Sequence, residues 1–141
     1  MQPQIKIKRV YEKASSRDGA RFLVDRLWPR GVRKETISVT AWLREVAPSQ
    51  KLRSWFGHDP KRWAEFRKRY NVELSANRET WMPILKAAAK GNVTLLFSAH
   101  DSDHNNAVAL QKFLKRRLRK RQKRRSSVPT SRMKQERKTQ K

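Results

Sequence analysis

The sequence has 141 residues, which favours a single domain, and its formal net charge of +24 is spread unevenly along the chain. Residues 1–114 contain 22 basic and 11 acidic groups, whereas residues 115–141 contain 14 and 1. The chain has no cysteine, which argues against disulfides and thiol chemistry. It has no apolar run of about 18 residues, which argues against membrane spans, and no apolar segment after Met1, which argues against secretion. We therefore expect a globular domain followed by a basic segment.

The first part of the chain predicts two strands and a loop. Residues 5–11 predict a half-buried strand, because residues 5–8 alternate apolar and basic side chains and Val10 and Tyr11 follow. Residues 22–24 form the short apolar run of a buried strand. Pro29 and Gly31 break regular structure, so residues 25–31 are expected to form a loop at the carboxyl end of the second strand.

The middle of the chain predicts helices. Residues 40–46 carry three large apolar side chains and predict a short helix, and Ser49 is placed to cap a second helix that ends at Phe56. Asp59 and Pro60 are the residue types that favour the N-cap and the first position of a third helix.

A fourth helix is predicted over residues 81–88, after an interruption at Asn77 and before Gly91. Pro83 leaves two alternatives open: either Thr80 caps a helix that has Pro83 in its first turn, or a longer helix kinks there.

The last predicted elements are a buried strand at residues 93–97, a polar loop over 98–103 and a helix that starts near His104. Strands that alternate with helices indicate an α/β fold: a single small domain with a mainly parallel sheet flanked by helices. We assign this domain to residues 1–114 and a basic, disordered tail to residues 115–141, in which 115–120 could instead extend the last helix.

Ligands of parallel sheets bind beyond the carboxyl ends of the strands, where the loops 25–31 and 98–105 both start. We expect the two strands to be neighbours or near neighbours, which would bring Asp25 and Ser98 within about 10 Å of each other. These two loops are therefore the main pointer to a functional site.

Several motifs carry a family resemblance: Asp25-Arg26-Leu27-Trp28-Pro29-Arg30-Gly31, Pro48-Ser49, Trp55-Phe56-Gly57-His58-Asp59-Pro60, Thr94-Leu95-Leu96-Phe97-Ser98-Ala99 and His104-Asn105-Asn106-Ala107. Over residues 5–114 the chain resembles the YeaO-like family, a branch of domain of unknown function 488, which consists of uncharacterised bacterial and archaeal proteins. The resemblance implies a small cytoplasmic α/β domain and no particular reaction. Another branch has a Cys-His-Arg segment where this chain has Asp103-His104-Asn105, so thiol chemistry does not carry over.

The first loop is a candidate anion site. Arg26 and Arg30 offer planar forks of donors that fit carboxylate or phosphate, Asp25 is a candidate catalytic carboxylate, and Gly31 would let a ligand approach the backbone. The alternative is a structural Asp–Arg pair packed on Trp28. Arg53 is placed to reach the same cleft.

The second loop supplies the other candidates. Asp101 or Asp103 is expected to cap the last helix, which would put His104 and Asn105 in its first turn. His104 is a candidate acid or base near neutral pH. The candidate catalytic residues are Asp25 and His104, and the candidate ligand-binding residues are Arg26, Arg30, Gly31, Arg53, Ser98, Asp101 and Asn105. No metal or cofactor is predicted, and whether the protein is an enzyme stays open.

The basic segment is a candidate nucleic-acid contact. It offers charge without aromatic side chains, so non-specific phosphate contact with DNA or RNA is the available mode, and it has no apolar anchor for a membrane. The candidate residues are Arg116, Arg117, Arg119, Lys120, Arg121, Lys123, Arg124 and Arg125. Such contact would associate the protein with the nucleoid. The alternative for the tail is a solvated segment without a partner. The alternative for the whole protein is a non-catalytic nucleic-acid-associated protein whose polar loops are structural.

Overall fold

A four-stranded, all-parallel sheet with the order β1-β4-β2-β3 organises the computed structural model, which describes residues 4–121. The strands are β1 (Ile5–Arg9), β2 (Ala20–Leu23), β3 (Ala41–Trp42) and β4 (Val93–Phe97). All five residues of β4 are buried, as expected for a central strand in which Thr94 is the one polar residue. Since β2 and β4 are hydrogen-bonded neighbours, the two predicted polar loops begin at the same edge of the sheet.

Four α-helices follow from the signals in the sequence: α1 (Gln50–Phe56), α2 (Trp63–Ala76), α3 (Arg78–Ala88) and α4 (residues 106–121). The hydroxyl of Ser49 accepts a hydrogen bond from Leu52 N at 3.1 Å and so caps α1 as predicted. Asp59 accepts from Lys61 N at 3.0 Å, and it caps a single 3-10 turn that leads into α2. None of the described helices is both long and apolar enough to cross a bilayer.

The two faces of the sheet are covered differently. The face that carries Phe22 and Leu95 packs against side chains from all four helices and forms the main core. The opposite face carries Leu23 and Leu96 and is covered by the β2–β3 connection, mainly through Trp28, Val32, Ile37 and Val39. The fold is therefore a sheet with helices on one face and a long connection on the other.

A buried ionic cluster lies on the connection side of the sheet. The Asp18 carboxylate accepts hydrogen bonds from Lys8 Nζ at 2.9 Å, from Ser15 N at 3.0 Å and from the Arg21 guanidinium. The Asp18 carbonyl accepts from the Thr94 hydroxyl at 2.8 Å. Burial pushes the pKa of Asp18 upward, but the bonds from Lys8, Ser15 and Arg21 together hold it below its ordinary value. Ion pairs thus join Asp18 to β1 and β2, and the Thr94 hydroxyl adds a neutral hydrogen bond from β4.

The predicted helix over residues 40–46 is wrong. Ala41 and Trp42 form strand β3, in register with Phe22 and Leu23 of β2, and only Arg44–Val46 makes a 3-10 turn. Pairing with β2 overrides the local helical spacing, because it satisfies backbone groups beside an otherwise open sheet edge.

The α3 segment resolves the alternatives at Pro83 in favour of the longer helix. The helix starts at Arg78, and Pro83 lies inside it at an exposed position. Thr80 does not cap a helix, since its hydroxyl donates to the Asn77 carbonyl at 2.7 Å.

The start of α4 also differs from expectation. Neither Asp101 nor Asp103 caps the helix: Asn105 does, because its Oδ1 accepts from Val108 N at 3.0 Å. The helix continues through residue 121, so residues 115–121 are helical. The remainder of the predicted tail, residues 122–141, lies outside the described residues.

Candidate functional site

A cleft of about 390 Å³ lies at the carboxyl edge of the sheet, between the loops that follow β2 and β4 and the start of α1. Six of the nine residues predicted as catalytic or ligand-binding line it: Asp25, Arg26, Arg30, Arg53, Ser98 and Asn105. The parallel pairing of β2 with β4 brings the two loops together.

Asp25 and Ser98 join the ends of the two strands. The backbone N–H and the hydroxyl of Ser98 both donate to Asp25 Oδ2, at 2.9 and 2.8 Å. Burial raises the pKa of the Asp25 carboxyl above its ordinary value, although the Ser98 bonds, the Asn106 amide and the Arg53 charge oppose that rise. The predicted proximity of Asp25 and Ser98 is therefore confirmed as direct contact.

Three arginines supply positive charge around this carboxylate. Arg26 pairs with Glu45 at 3.2 Å on the exposed side of the cleft, and Arg53 is held by a 3.2 Å hydrogen bond from its Nε to the Pro48 carbonyl. Arg30 is exposed, and its backbone carbonyl accepts from the Tyr11 hydroxyl at 3.2 Å. Because a guanidinium has five N–H donors, most donors of these side chains are available to a ligand.

The rest of the cleft is largely apolar. Phe56 and Phe66 are buried and stack with ring centroids 4.3 Å apart, and both line the cavity. Leu27, which is 69% exposed, and the half-buried Trp28 belong to the same lining. The site therefore combines an aromatic wall with guanidinium groups.

His104 and Asp101 lie outside the cleft lining. His104 Nδ1 is 3.0 Å from Asp101 Oδ2, and its ring meets the Trp63 ring edge-on at 5.3 Å. Asp101 also accepts from the backbone N–H groups of Asp103 and His104, and these bonds, that of Asp103 first, lower the pKa of the Asp101 carboxyl. The pair closes the loop before α4, which supports a structural role.

The two remaining candidates, Gly31 and Asn105, have few groups available to bind a ligand in the cleft. Gly31 adopts a positive φ of 73° and lines a separate cavity beside Val10. Asn105 lines the cleft, but it is buried and its amide is engaged in capping α4 and in a 2.8 Å bond to the Asp101 carbonyl.

Two polar side chains outside the predicted set also line the cleft, namely those of His58 and Asn106. His58 has a positive φ of 58°, directly after Gly57 at 54°, and this left-handed pair turns the chain between α1 and α2. Asn106 Nδ2 donates to the Val24 carbonyl at 2.9 Å. The Gly-His pair was a local signal for His58, whereas nothing in the sequence indicates the contact of Asn106 with β2.

The basic residues of α4 divide into two groups. Arg116, Arg119 and Lys120 are exposed, and no ion pair within residues 4–121 involves them. Arg117 instead lies over the rings of Trp81 and Phe113, and its Nη2 donates to the Ser75 hydroxyl at 3.3 Å. Arg121 is half-buried, and Lys123, Arg124 and Arg125 lie outside the described residues.

Within residues 4–121, no cluster of three or more His, Asp or Glu side chains is placed to hold a metal ion.

Comparisons with known proteins identify the family of the chain. The family model described as "Inactive DUF488-N3 subclade" matches residues 4–132, and so extends past the limit of residue 114 in the sequence resemblance. The chain is 39% identical to the uncharacterized protein YeaO of Escherichia coli K12 over 111 residues, which cover 79% of this chain and 96% of YeaO. It is 48% identical to an uncharacterized protein of Mycobacterium tuberculosis H37Rv over 71 residues, which cover 50% of this chain and 60% of the relative. No solved structure matches. The chain therefore belongs to the DUF488 family, as a YeaO-like member of its N3i subclade.

Proposed function

We propose that the domain binds a small anionic ligand in the cleft at the carboxyl edge of the sheet. The observation that carries this proposal is the convergence of Arg26, Arg30 and Arg53 on one cavity of about 390 Å³. Guanidinium groups form paired, charge-assisted hydrogen bonds with carboxylate or phosphate. The aromatic wall formed by Phe56 and Phe66 favours a ligand that also has an apolar body.

The side chains of the cleft favour binding over turnover. Ser98 carries the hydroxyl that would be the candidate nucleophile of the cleft. This hydroxyl donates a hydrogen bond to Asp25 Oδ2, and the backbone N–H of Ser98 donates a second hydrogen bond to the same oxygen. The other candidate acid or base, His104, is paired with Asp101 outside the cleft lining. The word "Inactive" in the description of the matching subclade supports the same interpretation.

The test is a set of NMR titrations of the full chain with 3-phenylpropionate and with phenyl phosphate, at about 0.15 M salt to screen non-specific attraction. Separate Arg26→Gln, Arg30→Gln and Arg53→Gln variants are compared with the wild type. Each is expected to lose about 1.5–3 kcal/mol of binding free energy, which is roughly 10- to 150-fold in affinity.

Arg78→Gln is the matched control, because Arg78 is an exposed arginine at the start of α3 and does not line the cleft. Thermal melting checks that the cleft variants remain folded. The exposed Arg26–Glu45 pair should matter little for stability. Equal affinities in the cleft variants and the Arg78 control would refute an anion site at these residues.

A second function, non-specific contact with DNA or RNA, is supported by the exposed basic side chains of α4. Arg116, Arg119 and Lys120 face solvent and are free of ion pairs within the described chain. Phosphate contact through such groups is insensitive to sequence and weakens steeply with salt.

Truncation after Arg121 tests the contribution of residues 122–141 to this second function. A cut after Leu114 would be uninformative, because it removes Arg117 and Leu118, which pack against the domain. We expect the shortened chain to bind mixed-sequence duplex more weakly than the full chain, with a shallower dependence on salt. Identical affinity and salt dependence would exclude residues 122–141 from the contact.

A further inference from the structure

The cleft contains hydrogen-bond acceptors as well as positive charge. Both bonds from Ser98 end on Asp25 Oδ2, and the Asn106 amide also lies close enough to the carboxylate to favour its charged form, but no hydrogen bond of ordinary geometry within residues 4–121 ends on Asp25 Oδ1. No side-chain polar atom in the described part of the chain is both buried and unsatisfied, so Oδ1 is accessible from the cavity that Asp25 lines. The carboxylate is therefore fixed through one oxygen and offers the other one to the cleft.

Asn106 provides a second acceptor beside the first. Its Nδ2 donates to the Val24 carbonyl at 2.9 Å, which fixes the orientation of the amide. Its Oδ1 accepts no hydrogen bond from any described residue, and the half-buried side chain lines the same cleft. Val24 directly precedes Asp25, so the side chain of Asn106, although it belongs to α4, lies beside the carboxyl end of β2, where Asp25 also lies.

Acceptors of this kind suit a ligand with N–H donors. A ligand that carried only negative charge would bind beside Arg53 but would be repelled by the Asp25 carboxylate. An ammonium group on the same ligand would turn that repulsion into a charge-assisted hydrogen bond. The arginines and the carboxylate are thus both satisfied by one molecule with opposite charges at its polar end.

We propose that the ligand is a zwitterion of the amino-acid class with a large apolar or aromatic side chain. Its carboxylate would meet the guanidinium groups of Arg26, Arg30 and Arg53, its ammonium would meet Asp25 Oδ1 and Asn106 Oδ1, and its side chain would lie against Phe56 and Phe66. The proposal rests on the proposed function and adds the requirement for an N–H donor.

Three probes with one apolar body separate these requirements in NMR titrations of the full chain. L-phenylalanine has both charges, 3-phenylpropionate has only the carboxylate and phenethylamine has only the ammonium. We expect L-phenylalanine to bind at least about tenfold more tightly than 3-phenylpropionate, the lower limit for a charge-assisted hydrogen bond. Phenethylamine should bind most weakly, because it meets three arginines without a compensating anion.

The variant Asp25→Asn adds a prediction of opposite sign for two probes. It should weaken L-phenylalanine by about tenfold or more and tighten 3-phenylpropionate, since one negative charge leaves the cleft. Glu65→Gln is the matched control, because it removes an exposed carboxylate that pairs with Arg69 on α2. That control should leave the ratio of the two affinities unchanged.

The outcomes distinguish this proposal from the proposed function. Equal binding of L-phenylalanine and 3-phenylpropionate, still dependent on Arg26, would overturn the zwitterion and leave the anion site in place. Failure of L-phenylalanine to bind would overturn the zwitterion, and failure of all three probes and of phenyl phosphate would overturn both proposals. The comparison of probes on the wild-type chain decides the question even if Asp25→Asn does not fold.

Discussion

Neutralising the exposed bases of α4 should reduce the salt dependence of nucleic-acid binding by a calculable amount. The variant Arg116→Gln/Arg119→Gln/Lys120→Gln removes three charges that face solvent on the helix. Each phosphate contact contributes about −0.9 to the slope of log affinity against log salt, so the slope should become shallower by about 2.7.

The difference is large on the scale of an ordinary binding assay. Between 50 and 200 mM salt the concentration rises fourfold, and a change of about 2.7 in the slope corresponds to about a 40-fold smaller loss of affinity over that range. Fluorescence anisotropy with a labelled mixed-sequence duplex measures both slopes directly. The triple variant should also bind more weakly than the wild type at low salt.

Arg117 provides the control on the same helix. Its guanidinium lies 5.5 Å from the Trp81 ring centroid and 5.0 Å from that of Phe113, so Arg117→Gln should cost about 1 kcal/mol of stability through lost cation–π packing. Its salt slope should equal that of the wild type. An unchanged slope in the triple variant would refute the assignment of phosphate contacts to the three exposed bases. A change of about 0.9 in the slope of Arg117→Gln, which is the value for one phosphate contact, would refute the exclusion of Arg117 from those contacts.

Three further predictions concern the fold and Asp25. Gly19→Ala should lower the free energy of unfolding by roughly 2–4 kcal/mol in a urea titration, because φ is +67° at Gly19 and a Cβ there would clash with the backbone oxygen of Asn92. A loss below about 0.5 kcal/mol would contradict this geometry. Asp18→Asn should cost about 3–5 kcal/mol, since it leaves Arg21 buried without its carboxylate, and a near-neutral effect would show that water reaches the cluster. The pKa of Asp25 is raised in the folded state, so the protonated carboxyl stabilises the fold relative to the ionised one. The wild type is therefore most stable relative to Asp25→Asn at pH values below the ordinary pKa of 3.8, and it loses that advantage as pH rises through the higher folded pKa. Thermal or urea unfolding of both proteins across this range should show that sign, and the opposite trend would mean that the Ser98 bonds outweigh burial.

The sequence predicts the central strands and the polar edge well, for a physical reason. Buried parallel strands favour nearly continuous apolar runs, as at residues 22–24 and, apart from Thr94, at residues 93–97, and parallel pairing places the loops that follow them at one edge. Asp25, Arg26, Arg30 and Ser98 follow these strands within the loops, so the candidate site could be assembled before the structure was known.

The errors arise where a contact distant in sequence decides the local structure. Residues 41–42 have helical apolar spacing, yet pairing with β2 makes them a strand. Asp101, Asp103 and Asn105 are all suitable caps, and only the packing of the loop determines that Asn105 takes the role. The interaction of His104 with Trp63 joins positions 41 residues apart, and no local pattern predicts it.

The strand order has a consequence for how the chain folds during synthesis. The central strand β4 is the last strand within residues 4–121, and it lies between the first two. Ile5 pairs with Val93, 88 positions later, and Ala20 pairs with the same residue, 73 positions later. Closing such long loops delays sheet formation, because their entropy must be overcome before the pairing stabilises them. On the ribosome, β1 and β2 therefore remain without their shared hydrogen-bonding partner until residues 93–97 have emerged. The central strand of the sheet is thus the last of the four strands to become available for pairing.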